Sequence, residues 1–256
     1  MVSLLKADFF RLFKSKSLYI CTLVWAGIFA LECLLLDLSY KVTASQGFDM
    51  SYPIPDALSY GISAFMGSST IIAIFVAIFA VSEFSQGTMK NLVSKGFSKA
   101  HIFLSKLIVL TVAAYFIVFV TFIAGTVCAW SFTKEFGSLS GEFGKYLWRT
   151  IGIELYLIIA LTALFLMVSM SIKNMAASIA INILGLSFGR ILFSLLEYLV
   201  ETKIRFTDYS LTNNIAFFSN QQATGGDYIR ALIVGAVYLI ISVAVGIFIF
   251  KKSDVK

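Results

Sequence analysis

The sequence predicts an all-α membrane protein of six transmembrane helices, preceded by an amphipathic helix at the interface and with both termini in the cytoplasm. Of 256 residues, 59% are hydrophobic and only 13% charged, against about 25% charged in a soluble domain. Mean hydropathy is +0.90, and several uncharged stretches reach the roughly 20 residues a helix needs to cross a hydrocarbon core of about 30 Å. Runs such as 71–81 show none of the alternating polarity of barrel strands.

Residues 1–16 come first. Val2, Leu5, Phe9, Leu12 and Phe13 fall on one helical stripe, with Lys6, Asp8, Arg11 and Lys14 mostly off it. That is the pattern of a basic amphipathic helix lying on the membrane surface. Apolar runs follow at 17–38, 60–84, 102–130, 148–171, 176–200 and 229–250, giving a membrane domain over 17–250 and a short tail over 251–256. The first run is too long for the core of a signal peptide and has no small-residue cleavage site after it, so it is expected to be retained.

Lysine and arginine set the orientation. With the N-terminus inside, Lys6, Arg11, Lys14, Lys16, Lys90, Lys95, Lys99, Lys173, Lys251, Lys252 and Lys256 face the cytoplasm, against Lys41, Lys134, Lys145, Arg149, Lys203 and Arg205 outside. The outer loops carry most of the acids, and no loop is long enough to fold as a soluble domain. The outer segment 201–228 mixes Phe206, Tyr209, Leu211, Ile215, Phe217 and Phe218 with polar residues, which predicts a short re-entrant or interfacial helix.

A net charge of +6 is no pointer to nucleic acid, because the basic residues flank membrane runs instead of forming one patch; they report topology and contact with anionic lipid. Cys21, Cys33 and Cys128 all lie in apolar runs, spaced for neither a disulfide framework nor a zinc site. The single histidine, His101, supports no metal site and no catalytic triad. Gly185 to Gly189, GLSFG, formally matches a nucleophile elbow, yet it is mid-span with no base nearby; as GxxxG it fits close helix packing. No GxxxxGK[ST] phosphate loop occurs, and the nearest string, 141–145, has the wrong spacing. The chain is therefore read as no enzyme, with no cofactor of its own.

Two groups of residues carry functional readings. Glu32, Glu154, Arg190 and Glu197 are ionisable groups inside predicted spans, towards the outer half, and should face protein or water rather than lipid. Structural ion pairs, with Arg190 paired to Glu154 or Glu197, and a polar outer vestibule on an export path both explain them. The second group is in EFSQGTMKNLVSKGFSK, residues 83–99: Glu83 ends a long apolar run, Gly87 and Thr88 supply a turn and helix start, and a short helix follows through Lys95. Leu92 and Val93 are expected to face a partner or the bilayer, with Lys90 and Lys95 in water. A loop that only fixes topology is the other reading of this segment.

That arrangement of an acid, a Gly-Thr step, a basic and apolar helix and a Ser-Lys tail resembles the coupling region of ABC-2 type permeases. The layout of the whole chain is similar to that family, with an elbow helix, six spans and a compact outer region between spans five and six. Gly96 departs from the pattern, in which proline is common. The resemblance implies that a coupling loop over 83–101, through Glu83, Gly87, Thr88, Lys90, Leu92 and Lys95, contacts a separate cytoplasmic ABC ATPase that holds ATP and magnesium. It further implies a second permease copy or a sibling permease, and residence in a bacterial cell membrane. The low-proline, short-looped build is similar to small Gram-positive exporters of amphipathic peptides, so a hydrophobic or amphipathic peptide is the expected cargo. A non-transporting membrane receptor or scaffold is the first alternative. A gradient-driven carrier is the second, and it would favour internal repeats, which the sequence does not show.

Overall fold

In the computed structural model, residues 2–46, 52–54, 56–137, 141–200, 205–217 and 224–253 are described. They form ten α-helices and one 3₁₀ turn, with no strand among them. Helix α1 spans Val2–Lys14 and α2 spans Lys16–Ser45; the second membrane crossing is made of α3, Ala57–Gly67, and α4, Ser69–Ser85. The short α5, Thr88–Ser94, leads to α6, Lys99–Thr133, then α7, Gly141–Ile172, and α8, Met175–Val200. After the 3₁₀ turn Phe206–Tyr209 come α9, Leu211–Phe217, and α10, Gly225–Lys252. Six segments are long and apolar enough to cross a bilayer: 16–45, 57–85, 99–133, 144–172, 175–200 and 225–252.

The second crossing is broken where Gly67 meets Ser68, whose hydroxyl donates to the Ala64 carbonyl at 2.6 Å. A side chain bonding back into its own helix at a Gly-Ser step is a recognised cause of a kink. The crossing also begins earlier than the sequence suggests, because Asp56 caps α3 by accepting from the Ser59 N–H at 2.8 Å. Towards the segment that follows α6, the Ala57 and Leu58 N–H groups donate to the Glu135 and Phe136 carbonyls.

The main core centres on α4, α6 and α7 and takes in residues of other helices, Phe250 of α10 among them; Phe75, Phe103, Phe165 and Phe250 are among its largest fully buried side chains. Among the glycines pressed by neighbouring side chains, three meet aromatic rings. A Cβ at Gly125 would meet the Phe29 ring at 2.4 Å, one at Gly235 the Tyr156 ring at 2.5 Å, and one at Gly246 the Phe103 ring at 2.6 Å. The glycines of GLSFG do not work this way: a Cβ at Gly185 or Gly189 would meet nothing within 4 Å. They lie on α8, which leaves Leu184, Phe188, Ile191, Leu192 and Leu195 exposed, as α2 leaves Leu23, Val24, Leu31 and Leu35. In the outer segment, α9 buries Leu211 and Ile215 in the main core.

The bundle has one end that gathers α1, the C-terminus of α4, α5, the N-terminus of α6 and the C-terminus of α10. Lys99 ties the last two together by donating to the Lys251 and Ser253 carbonyls at 3.0 and 2.8 Å. A lysine on the last carbonyls of a helix also complements its dipole. The opposite end carries the loops around residues 52–56 and 134–137 and the segment 205–217.

A Gly246→Val variant must push the buried Phe103 ring aside, and overpacking of this kind costs about 1–3 kcal/mol. Thermal unfolding in detergent should show a clear loss for Gly246→Val, whereas Gly152→Ala, where a Cβ meets nothing within 4 Å, should melt at or above the wild-type temperature.

Candidate functional site

The most concentrated chemistry lies where α1 crosses the gathered end. Asp8 and Arg11 stand three residues apart on α1 and so share a face. Opposite them are Ser82 and Glu83 in the last turn of α4, and Ser105 and Lys106 in the second turn of α6. Lys106 pairs with both Asp8 and Glu83, and Arg11 pairs with Glu83. The Ser105 hydroxyl donates to Asp8 Oδ2 at 2.7 Å, and Arg11 Nη2 donates to Ser82 Oγ at 2.9 Å. Phe79 forms the floor, with the Arg11 guanidinium 4.9 Å and the Lys106 ammonium 5.9 Å from its ring centre.

Glu83 and Lys106 are 0% exposed and Asp8 is 4% exposed, so three of the four charges are out of water. The two acids and two bases cancel formally, which is what allows charge at this depth: an isolated buried ion costs several kcal/mol, and only good pairing offsets it. Glu83 Oε1 meets both cations, whereas Oε2 has no hydrogen-bond partner among the described residues. The cluster is therefore held together by opposite charge, with little hydrogen-bond redundancy at its centre.

The segment 83–99 hangs directly from this cluster. Gly87, at φ +68°, ends α4 in the left-handed region, and its N–H donates to the Phe84 carbonyl at 3.2 Å. The Thr88 hydroxyl then donates to the Glu83 carbonyl at 3.1 Å, the acceptor that a Schellman cap would give to a backbone N–H. The Gly-Thr step thus turns the chain and satisfies the end of α4 together. Helix α5 ends in the full Schellman pattern, with Gly96 N–H to the Val93 carbonyl at 3.0 Å and Phe97 N–H to the Leu92 carbonyl at 3.3 Å. Gly96 sits at φ +83°. Proline, locked near −65°, cannot adopt that conformation, which accounts for glycine here.

Met89 is buried, and Leu92, Val93 and Phe97 pack against the main core. The apolar side of α5 is thus turned onto the bundle, where the sequence suggested a partner or the bilayer, because the tight turn at Gly87 folds α5 back beneath α4. Lys90 and Lys95 are exposed, leaving a small basic face on the outside of the hairpin.

The outer-half residues do not form one group. Glu32 is exposed on the apolar face of α2. Glu154 is 1% exposed on α7, and neither carboxylate oxygen has a hydrogen-bond partner among the described residues. Glu197, near the end of α8, accepts from the Thr207 N–H at 2.6 Å and hydroxyl at 2.7 Å, which pins the 3₁₀ turn. Arg190 lies on α8, but its side chain, and with it the expected pairing, is outside the described residues.

Sequence reasoning missed Asp8, Arg11 and Lys106 as a site. Lys106 carried the usable signal, since it is a lysine inside the third apolar run and needs a counter-ion. It missed a second cluster at the opposite end, where Asp37 accepts from Lys41 Nζ at 2.7 Å and from the Tyr52 hydroxyl at 2.8 Å. Burial and the neighbouring carboxylate push the Tyr52 phenol up to about 12, so it stays a donor at any physiological pH.

A family profile described as ABC-2 family transporter protein matches residues 4–189. The match takes in all four members of the charge cluster and the whole of α5. Among curated proteins, none matches the chain.

Removing Lys106 takes from Asp8 its only cation among the described residues and leaves Glu83 with Arg11 alone. Lys106→Met should cost about 3–5 kcal/mol, the range for breaking a buried ion pair. Asp8→Asn placed in that background should recover part of the loss, giving a coupling of about 0.5–3 kcal/mol in a double-mutant cycle read by unfolding in detergent. Strictly additive losses would show that the pair is not coupled.

Proposed function

The chain belongs to the ABC-2 transporter family, whose members are membrane permeases of ABC exporters without an ATPase of their own, and we propose that it works with a separate ABC ATPase through α5. The gathered end faces the cytoplasm in this reading, as the excess of lysine and arginine there supports. The ATPase docks on the hairpin made by the end of α4, Gly87, Thr88 and α5, meeting the exposed Lys90 and Lys95. ATP and magnesium belong to that partner.

The observation that carries the reading is the bond between coupling segment and charge cluster. Glu83 contributes its side chain to the ion pairs with Arg11 and Lys106 and its carbonyl to Thr88. A displacement imposed on α5 is therefore passed at one residue to α1, α4 and α6. Charge pairs in a dry setting resist separation far more than pairs in water, so these elements move together and not one at a time.

A second permease copy or a sibling permease completes the pathway in the cell membrane of a bacterium. Its support is the exposed apolar face of α8, with Phe188, Ile191, Leu192 and Leu195, and that of the later turns of α2, with Leu31, Leu34, Leu35 and Leu38, both of which a second copy can cover. Opposed across such an interface, these faces give a path suited to a hydrophobic or amphipathic cargo such as a peptide. Glu32 on α2 supplies one of the few charges along it. Alternation of that path between the two sides of the membrane expels the cargo outward.

Pull-down from gently solubilised native membranes, followed by an ATPase assay, tests the reading. Wild-type protein should bring down an ATPase, and a Lys90→Glu/Lys95→Glu variant should lose most of it while folding normally, since both side chains are exposed. An eluate without ATPase activity at every detergent strength would favour the non-transporting scaffold instead.

A further inference from the structure

Beside the charge cluster, sharing Arg11, Phe79 and Ser82 with it, lies an open groove of about 490 Å³. Its walls come from three elements: Phe10, Arg11 and Lys14 of α1; Ser15 and Ser17 at the step into α2; and Ile78, Phe79, Ser82 and Gln86 of α4. We propose that this groove binds the headgroup of an anionic phospholipid from the leaflet at the gathered end, with an acyl chain running up the outside of α2. The assignment rests on the proposed membrane embedding but not on the ATPase.

Three features support a lipid as occupant. The first is charge. Asp8 and Glu83 both lie on the buried side of Arg11, where they neutralise Arg11 and Lys106, so the exposed Lys14 adds uncompensated positive charge at the rim. The second is the supply of phosphate donors. Arg11 has five N–H groups, of which its contacts to Glu83 and Ser82 use only part. Ser15 and Ser17, whose hydroxyls are 2.6 Å apart, and Gln86 also line the groove. Lys14 is held over the Phe10 ring, with its Nζ 4.5 Å from the ring centre, so less side-chain freedom is lost when it meets an anion.

The third is what lies next to the donors. Phe10, Ile78 and Phe79 make part of the groove apolar, and beyond it α2 exposes Ile20, Leu23 and Val24. A soluble phosphate would leave that apolar surface uncovered. A phospholipid covers both parts at once, with its phosphate against Lys14 and Arg11 and its chain against α2. Because Arg11 and Ser82 also belong to the charge cluster, a bound anionic lipid adds a further link between α1 and α4.

Native mass spectrometry of the detergent-purified permease alone, with no ATPase present, provides the test, using phosphatidylglycerol against phosphatidylcholine as probes. The expected result is preferential retention of phosphatidylglycerol. It should weaken about fivefold in Lys14→Gln, following the roughly 1 kcal/mol that each basic residue contributes at an anionic surface. Lys14→Arg should restore it, and Gln86→Glu, which adds a negative charge to an exposed position of the groove, should weaken it as well. Lys252→Gln, an exposed lysine outside the groove, should leave it unchanged. Equal retention of the two lipids, or an equal loss in Lys252→Gln, would overturn the site. Displacement of the lipid by glycerol phosphate alone would overturn the lipid as its occupant. Loss of ATPase binding with lipid binding intact would count only against the coupling reading.

Discussion

Four charges, three of them placed where water does not reach, govern this protein. Asp8, Arg11, Glu83 and Lys106 sit on three helices far apart in sequence. None of the three buried ones can be left alone in a low-dielectric setting without a penalty of several kcal/mol. Their pairing therefore fixes α1 against α4 and α6. Once α1 is fixed, so are the groove beside it and the direction in which α2 enters the bundle. A helix with the composition of α1 could rest loosely on any membrane surface; two of its polar side chains prevent that.

The same cluster explains how a seven-residue helix such as α5 can matter. A helix that short has almost no stability of its own. It persists because both ends are closed by glycine in the left-handed region and because Met89, Leu92 and Phe97 pack against the core. Its apolar side is thus committed to the bundle, leaving a rigid basic edge to the outside. Its rigidity is obtained from two turns and these apolar contacts. Elsewhere the bundle is less closed. The exposed apolar faces of α2 and α8 contrast with the dense core of α4, α6 and α7, so the internal packing of one chain accounts for only part of its hydrophobic surface.

Much of this was legible in the sequence, because crossing a membrane is a constraint on composition and length. All six spans could be read from hydropathy, and the turn at Gly87 and Thr88 from residue type. Less legible was the break at Gly67 and Ser68, since a Gly-Ser step is tolerated within a helix until its hydroxyl bonds backwards. The direction of Leu92 and Val93 depended on the sharpness of one turn, which spacing does not encode. The charge cluster escaped because Asp8 looked like an ordinary polar-face residue of an amphipathic helix. Its partner Lys106 is 98 residues away, and only the fold brings them together. For GLSFG the sequence suggested close helix packing; within this chain the two glycines meet no neighbour and face open space on α8.

The central claim is that the charge cluster makes α1, α4, α6 and α5 one mechanical unit. Spin labels at the exposed positions Lys6 on α1 and Asn91 on α5, in a background with Cys21, Cys33 and Cys128 replaced, allow the α1 to α5 distance to be measured by pulsed electron resonance. The account predicts a single narrow distance that is the same with and without nucleotide-loaded ATPase, and that broadens when Glu83 is changed to Gln. A broad distribution in the otherwise unaltered protein, or an α1 to α5 distance that changes on nucleotide binding, would contradict it.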